Sequence, residues 1–322
     1  MRIIFCGTPE YAVPSLKKLA GLAPRHSTVA VVSQPDRPKG RSRAPSPPPV
    51  VETARALGIP DHCIFQPKSI NRPETIQALK ALTPDVLCVI AYGNLLKADA
   101  LALPRIVALN AHASLLPKYR GASPIQAALL NGDMETGVSI IKMELGLDTG
   151  GVMFSRNLAI APIDDAGTLH DKLASLSAEC FVEALNKLDS GQYEFVPQDE
   201  NRTSRVSKLD KNSGKVDWTQ DAAFIERFVR AMNPWPGAWT RVALAENGPT
   251  QRLRVVRVEI RGDIAGNEVR DADGNACFRI KCGQGSLLIL EVQPEGKRVM
   301  STAEFLRGSG RAFAGQKLIF GG

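Results

Sequence analysis

The chain has 322 residues, 44% of them hydrophobic and 23% charged, with a formal net charge of +7; this length favours two domains. No apolar run reaches the roughly 18 residues that a membrane-spanning helix needs, no cleavable leader is visible, and the six cysteines form no C-x-x-C pair. These features argue against a membrane protein, a disulfide framework and a zinc site, and we expect a cytosolic protein.

The first half of the chain alternates between strands and helices. Strands are predicted at "RIIFCG", "STVAVVS", "DVLCVIAYG", "RIVALN" and "TGVSIIKM". Helices are predicted at "AVPSLKKLAGL", "VVETARALG", "RPETIQALKAL", "NLLKADALAL" and "PIQAALLNG". Near-continuous apolar strands separated by helices indicate an α/β fold with a mostly parallel sheet and helices on both faces. In such a fold ligands bind beyond the carboxyl ends of the strands, where residues 110–121 would lie.

One loop breaks this alternation. The stretch "SQPDRPKGRSRAPSPPPV" (33–50) holds six prolines, and four basic residues lie between Arg37 and Arg43. Because proline fits neither a helix interior nor a central strand, an exposed loop is predicted at the same edge as residues 110–121. Such a loop either binds a phosphate backbone or is only solvated. The composition supports these two interpretations equally.

The second half of the chain has a different pattern. "TLHDKLASLSAECFVEALNKLDSG" predicts a long helix with Thr168 as its N-cap and Gly191 at its end, and a linker follows at 190–208. Beyond it, "GAWTRVAL", "QRLRVVRVEI", "ACFRIKC" and "SLLILEVQ" predict short strands, and Ser301-x-x-Glu304 predicts one capped helix. We therefore expect a domain at 1–189 and a small antiparallel β-barrel at 209–322.

The whole excess of positive charge lies in this C-terminal part. Residues 1–200 carry 20 basic and 20 acidic side chains, whereas residues 201–322 carry 20 basic and 13 acidic ones. A basic part suits a polyanionic partner, because each neutralised phosphate releases counterions. Solubility alone explains such an excess about as well.

Polar residues gather where the strand "RIVALN" ends. Asn110 and His112 are two residues apart, so an extended backbone points both side chains the same way. Asn offers an amide donor to a carbonyl oxygen, and His exchanges a proton near neutral pH. Asp148, in the glycine-flanked turn "KMELGLDTGGVM", is the best candidate to fix the imidazole. Together the three suit acyl transfer without a covalent intermediate.

Other interpretations of these residues stay open. On N-x-H alone, the favoured interpretation is that Asn110 and His112 only satisfy backbone groups at a strand end. Ser114 as a nucleophile lacks the G-x-S-x-G elbow. "FCGTPEY" has one glycine instead of G-x-G-x-x-G, which disfavours a nicotinamide cofactor.

Longer motifs resemble a known family. "NAHASLLPKYRGASPIQ" followed by "LDTGG" resembles the signature of the folate-dependent formyltransferases. "FCGTPEYAVPSL", "QPDRPKGR", "VIAYG" and "NPWPGAW" resemble the branch of that family that acts on methionyl-tRNA, and "QPDRP" together with "GLDTG" distinguishes it from relatives acting on sugar nucleotides. The resemblance covers essentially the whole chain.

The resemblance implies a Rossmann-like catalytic domain followed by an OB-like, tRNA-binding β-barrel. It implies 10-formyltetrahydrofolate as formyl donor, no metal, and the α-amino group of initiator methionyl-tRNA as acceptor; we expect a monomer. The site residues that it implies are the catalytic Asn110, His112 and Asp148, the folate-binding Ser114, Leu115, Leu116 and Pro117, and the tRNA-binding Arg41 and Arg43. Many members of the family have a lysine-rich stretch after the residue that corresponds to Arg41, whereas this chain has Ser-Arg-Ala-Pro. Arg43 is therefore the remaining positive charge in that part of the loop.

Two alternatives belong to other functional classes. A formyltransferase for an amino sugar nucleotide would share the catalytic trio and would need no RNA. A non-catalytic RNA-binding module would not need Asn110, His112 and Asp148 together and would bind no folate.

Overall fold

The computed structural model describes residues 1–38, 44–243, 250–270, 276–308 and 319–321. The chain forms two compact units. The first comprises Met1–Pro124, Glu135–Ile160 and Leu169–Val206, and the second Ile125–Met134, Ala161–Thr168 and Ser207–Gly322. Over the described ranges, no helix combines the length and hydropathy required to cross a lipid bilayer.

The elements of the described chain are as follows. The strands are β1 (Arg2–Gly7), β2 (Ser27–Val32), β3 (Arg37–Pro38), β4 (Pro45–Ser46), β5 (Ile64–Phe65), β6 (Val86–Ile90), β7 (Val107–His112), β8 (Arg120–Gly121), β9 (Glu135–Lys142), β10 (Val152–Ala159), β11 (Arg205–Val206), β12 (Trp239–Ala243), β13 (Thr250–Arg261), β14 (Glu268–Arg270), β15 (Ala276–Lys281), β16 (Ser286–Pro294), β17 (Met300–Ser301) and β18 (Ile319–Gly321). The α-helices are α1 (Val13–Ala20), α2 (Pro49–Ala56), α3 (Pro73–Ala81), α4 (Ala98–Leu101), α5 (Pro124–Asn131), α6 (Ala166–Ser190), α7 (Ala222–Met232) and α8 (Thr302–Arg307).

The first unit is built on a mostly parallel sheet, which confirms the predicted fold class. Its strand order is β10-β9-β7-β6-β1-β2-β5, and the five strands from β7 to β5 run parallel. Strand β9 pairs antiparallel with β7, and the edge strand β10 pairs antiparallel with β9. The central strands are apolar throughout because both faces are covered: every residue of β6 is buried, and Ile3, Ile4, Phe5 and Cys6 are 0% exposed.

Two predicted helices differ from the structure. "NLLKADALAL" forms only the four-residue helix α4. Helix α6 begins at Ala166, so Thr168 is not its N-cap; instead Asp165 Oδ1 accepts a 2.8 Å hydrogen bond from the Thr168 amide. A side-chain carboxylate can accept hydrogen bonds from the first amides of a helix, as a hydroxyl can. Because Asp165 does so here, the helix begins before Thr168. The helix ends before Gly191, as predicted, where φ is +69°.

Residues 192–206, here called the return segment, were predicted to be part of a linker and contain no long element. Within the first unit Val196 bridges Val152, and β11 pairs in parallel with β8. A Cβ at Gly121 in β8 would collide with the carbonyl oxygen of Val206, so this close pairing requires glycine. The return segment is thus attached to β8, in the loop after β7, and to the first residue of β10.

The second unit contains an antiparallel sheet that curls into a half-barrel, in agreement with the predicted class. The strand order is β14-β15-β16-β13-β12-β18, with β17 on β16. Ser301 Oγ accepts the Glu304 amide at 3.1 Å, so the predicted cap is confirmed. Helix α7 was missed, although its buried residues recur at helical spacing: Ala222, Ile225, Val229 and Met232.

Candidate active site

Three side chains meet at the carboxyl end of β7. Asn110 and His112 project from the end of this strand, and Asp148 lies in the turn between β9 and β10. Asn110 Nδ2 donates to Asp148 Oδ1 at 3.3 Å, and His112 Nδ1 lies 3.5 Å from Asp148 Oδ2. The His112 and Asp148 side chains are only 7% and 10% exposed, so water screens the electrostatic interaction between them only weakly. The structure therefore brings the predicted trio together.

The hydrogen bond at the far side of the imidazole sets its tautomer. His112 Nε2 lies 2.9 Å from the carbonyl oxygen of Tyr119. Because a carbonyl oxygen can only accept, Nε2 carries the hydrogen and donates it. Nδ1, on the Asp148 side, is then an acceptor in the neutral ring and a donor in the cation. The Nδ1 edge of the ring, which faces Asp148, is the one available for proton exchange.

Asp148 is held from both sides. Its Oδ2 accepts the Gly121 amide at 2.9 Å, and its backbone has a φ of +55°, which is uncommon for a residue other than glycine. Gln198 Nε2, in the return segment, donates to the carbonyl oxygens of Asp148 and Gly150, both at 2.8 Å. At Gly150 a Cβ would collide with the Lys142 carbonyl oxygen. The turn is fixed by contacts that leave the carboxylate directed at His112.

A buried arginine orients Gln198 in turn. Arg120 is 1% exposed, and its Nε donates to Gln198 Oε1 at 3.0 Å. Its two terminal nitrogens donate to the Glu200 carboxylate at 2.8 and 3.1 Å. Sequence reasoning missed both Arg120 and Gln198, because neither lies in a periodic element and their contact spans 78 residues.

We expect Gln198→Ala to lower kcat about tenfold or more, because a small displacement of the Asp148 turn disturbs the reacting geometry. The loss of three hydrogen bonds should lower the free energy of unfolding by about 1–3 kcal/mol. Steady-state kinetics and urea unfolding measure the two effects, with the exposed Gln192→Ala as the matched control. An unchanged kcat in a destabilised Gln198→Ala protein would contradict the positioning role.

Glu200 gives a pH-dependent prediction. The hydrogen bond from the Arg120 guanidinium holds the pKa of the Glu200 carboxyl below its ordinary value of 4.5. A lowered pKa in the folded state stabilises the fold above pH 4.5, and this contribution is lost as the pH falls through the lowered value. Wild type should therefore have a higher Tm than Glu200→Gln at pH 7, and the difference should vanish in acid. A difference that persists at pH 2 would contradict the assignment.

The four residues predicted to bind folate form the loop after β7. Ser114 is fully buried, and its Oγ donates to the Lys118 carbonyl oxygen at 2.6 Å, so the hydroxyl is occupied within the loop. Ser139 Oγ accepts the Leu116 amide at 3.0 Å and donates to the Ser114 carbonyl oxygen at 2.7 Å. Leu115, Leu116 and Pro117 are half-buried, and the Leu116–Pro117 peptide is cis.

Other predicted features fall beside this loop or outside the structure. Asn110 and Asp148 line a small cavity of about 20 Å³ together with Ile141 and Met143. Arg41 and Arg43 lie outside the described residues. Within the part of the chain that the structure describes, no three His, Cys, Asp or Glu side chains are grouped so as to hold a metal ion.

Comparisons with known proteins agree on the family. Residues 1–185 match the family described as "Formyl transferase", and residues 208–310 match "Formyl transferase, C-terminal domain". The chain is 42% identical to the methionyl-tRNA formyltransferase of Myxococcus xanthus, covering 99% of both chains, and 41% identical to that of Geobacter sulfurreducens, covering 96% of this chain and 94% of that one. Among solved structures, the sugar 3N-formyltransferase WlaRD superposes with a TM-score of 0.64 at 17% identity, over 92% of this chain and 99% of that one, a likeness of fold. The chain therefore belongs to the formyl transferase family, among the methionyl-tRNA formyltransferases.

Proposed function

We propose that this chain transfers the formyl group of 10-formyltetrahydrofolate to the α-amino group of methionine on initiator methionyl-tRNA, for translation initiation. The observation that carries the proposal is the convergence of Asn110, His112 and Asp148 at the carboxyl end of the sheet. Full-length identity of about 40% to relatives named for this reaction supports it over an amino sugar nucleotide as acceptor.

The geometry supports direct transfer. The neutral amine attacks the formyl carbon, a C–N bond forms, and the carbonyl oxygen becomes an oxyanion. In this scheme Asn110 Nδ2 and the protonated Nδ1 of His112, which both approach Asp148, donate to that oxyanion. Such an electrostatic contribution often dominates acyl transfer. The bond to N10 then breaks as one proton passes from the amine to N10.

Asp148 has two roles in this scheme. Its carboxylate, 3.5 Å from His112 Nδ1, stabilises the imidazolium and keeps the ring aligned. Its Oδ1 accepts one N–H of Asn110 at 3.3 Å, and in this scheme the second N–H of the same amide donates to the oxyanion. We assign the amine-to-N10 proton relay to His112 and Asp148, and such proton handling contributes ~10² to 10⁴-fold.

The folate segment contributes a prearranged loop in this proposal. Residues 114–117 would contact the co-substrate through backbone groups and the half-buried side chains of Leu115, Leu116 and Pro117. The hydrogen bonds of Ser139 hold this loop before the co-substrate arrives, so that less conformational entropy is lost on binding.

We assign tRNA binding to two other regions. The basic loop with Arg41 and Arg43 would contact the acceptor end, and the basic C-terminal domain at 209–322 would contact the tRNA body. Catalysis would lie in 1–189, and the connection at 190–208 would support it through the return segment, which holds the Asp148 turn. The positive excess of the C-terminal part supports this division. Since all three trio residues come from one chain, we infer that a monomer suffices, and its substrates place it in the cytosol.

The decisive experiment is formylation of charged initiator tRNA by the purified chain with 10-formyltetrahydrofolate. We expect formylmethionyl-tRNA to form, and we expect no transfer to an amino sugar nucleotide under the same conditions. Transfer to the sugar nucleotide alone would overturn the acceptor assignment. Failure with both acceptors would overturn the proposed enzymatic function.

A further inference from the structure

The hairpin of β12 and β13 has an outer face that combines one tryptophan with three arginines. In its antiparallel register Trp239 lies opposite Arg254, and Arg241 lies opposite Arg252. Directly opposed residues project to the same face of a sheet, and alternate residues project to the other. The alternate side chains are buried: Thr240, Val242 and Leu253. Trp239 and the arginines therefore face outward.

Two of these arginines, Arg241 and Arg252, lie opposite each other with no carboxylate partner among the described residues. Arg241 and Arg252 are both exposed, and like charges directly opposite on a sheet destabilise it. Considering the described residues alone, no carboxylate lies within 4.0 Å of either guanidinium. Elsewhere on β13, Arg257 and Arg261 each have a carboxylate partner, Glu291 and Glu259. The repulsion between Arg241 and Arg252 would be relieved by a bound anion.

The same face borders a cleft of about 260 Å³. The guanidinium of Arg252 lies 4.2 Å from the centroid of the Trp239 ring, so the two stack as a cation–π pair beside this cleft. The volume lies just below the roughly 300 Å³ at which pockets for drug-sized ligands begin, which suits a single planar ring system. Glu295 also lines the cleft, and its carboxylate can accept hydrogen bonds from amino groups.

Arg254 forms a fixed floor for this cleft. Its Nη2 donates to Asn233 Oδ1 at 2.6 Å and to the Pro234 carbonyl oxygen at 2.8 Å, and its Nη1 donates to Gln293 Oε1 at 3.0 Å. Arg254 is thus committed to the fold, whereas Arg241 and Arg252 keep their charges at the surface. The two strands thus present a rigid floor, an arginine stacked on a tryptophan, and two arginines with no carboxylate partner in the described part of the chain.

We propose that this face and its cleft bind one unpaired nucleotide of the RNA substrate, with the base stacked on the Arg252–Trp239 pair and the adjacent phosphates against Arg241 and Arg252. The inference rests on the proposed function, since it names a contact site for the same tRNA. Proteins hold single-stranded nucleotides by stacking bases on aromatic rings or guanidinium planes and by neutralising the backbone. Glu295 would repel an isolated phosphate but would accept hydrogen bonds from the amino group of a base.

The first test removes the two opposed charges. Binding of uncharged initiator tRNA by Arg241→Gln/Arg252→Gln is compared with that by Arg257→Gln/Arg261→Gln, which loses the same charge from β13 at ion-paired positions. We expect the first variant to bind about tenfold more weakly at low salt and to lower the slope of log K against log salt by about 1 to 2, roughly one per phosphate contact. Equal slopes in the two variants would overturn the site, provided both keep the wild-type Tm.

The second test reports stacking directly. A base stacked at Trp239 should quench its fluorescence, so titration with tRNA should quench the wild-type protein and Trp235→Phe, but Trp239→Phe should lose most of this quench. Trp235, 51% exposed, is the matched control in the same region. A quench that persists in Trp239→Phe and disappears in Trp235→Phe would place the nucleotide elsewhere.

The two proposals fail in different ways. If the wild-type chain formylates methionyl-tRNA while all these variants bind tRNA normally, the nucleotide site is wrong and the proposed function stands. If the wild-type chain neither binds nor formylates the tRNA, the proposed function itself is wrong.

Discussion

Replacing His112 by alanine is expected to lower kcat for formyl transfer by ~10² to 10⁴-fold. Nδ1 of this side chain lies 3.5 Å from Asp148 Oδ2, and alanine has no group that could exchange a proton at that position. Affinity for tRNA should change little, because His112 lies at the end of β7 and belongs neither to the basic loop nor to the basic C-terminal domain assigned to tRNA binding. Single-turnover formylation and a separate tRNA-binding titration measure the two quantities.

Two variants separate this role from folding. His112→Gln can keep the hydrogen bond to the Tyr119 carbonyl oxygen but exchanges no proton, so it should fold normally and remain nearly as inactive as alanine. His170→Ala removes a more exposed histidine from the same unit and should leave kcat unchanged. Near-normal turnover in His112→Gln would show that the imidazole serves only to hold the loop.

Asp148→Asn is expected to lower kcat by ~10² to 10³-fold, comparable to the loss of one stabilising group in an acyl-transfer site. The amide matches the carboxylate in shape and can still accept the Gly121 hydrogen bond, but it cannot stabilise an imidazolium. The measurement is kcat at saturating methionyl-tRNA and folate, since the reactants themselves should still bind.

The control for this change is Asp171→Asn, which alters a carboxylate that is 84% exposed. The activity of this variant should equal that of wild type. If Asp148→Asn instead raised KM and left kcat unchanged, the carboxylate would belong to substrate binding. The assignment of Asp148 to the imidazolium would then be wrong.

The sequence was sufficient to predict that Asn110, His112 and Asp148 come together, but not which contacts hold the Asp148 turn in place. Because side chains in a strand alternate between its two faces, Asn110 and His112 point to the same side. The glycines around Asp148 predict a tight turn. That turn is held in place by Gln198, which lies 50 residues further along the chain, in a stretch without helical or strand periodicity. Contacts made by side chains to distant backbone carbonyls leave no repeating pattern in the sequence.

Of the two elements that were missed, only strand β10 lacks a clear pattern in the sequence. Strand β10 lies at the edge of the sheet and is exposed or only half-buried, so it lacks the apolar run that marks β6. Helix α7 did carry a readable signal, with Asp221 ahead of an apolar residue at 222 and others at 225 and 229. Helix α7 was therefore predictable from the sequence.

The return segment also decides where the first unit can be cut. A polypeptide ending at residue 189 would retain Asn110, His112 and Asp148, yet it would lack Gln198 and the β11 strand that pairs beside Gly121. Its Asp148 turn would lose two anchors, and the buried Arg120 would lose both its partners. An excised catalytic fragment therefore has to extend through Val206 if it is to preserve the arrangement of its reactive groups.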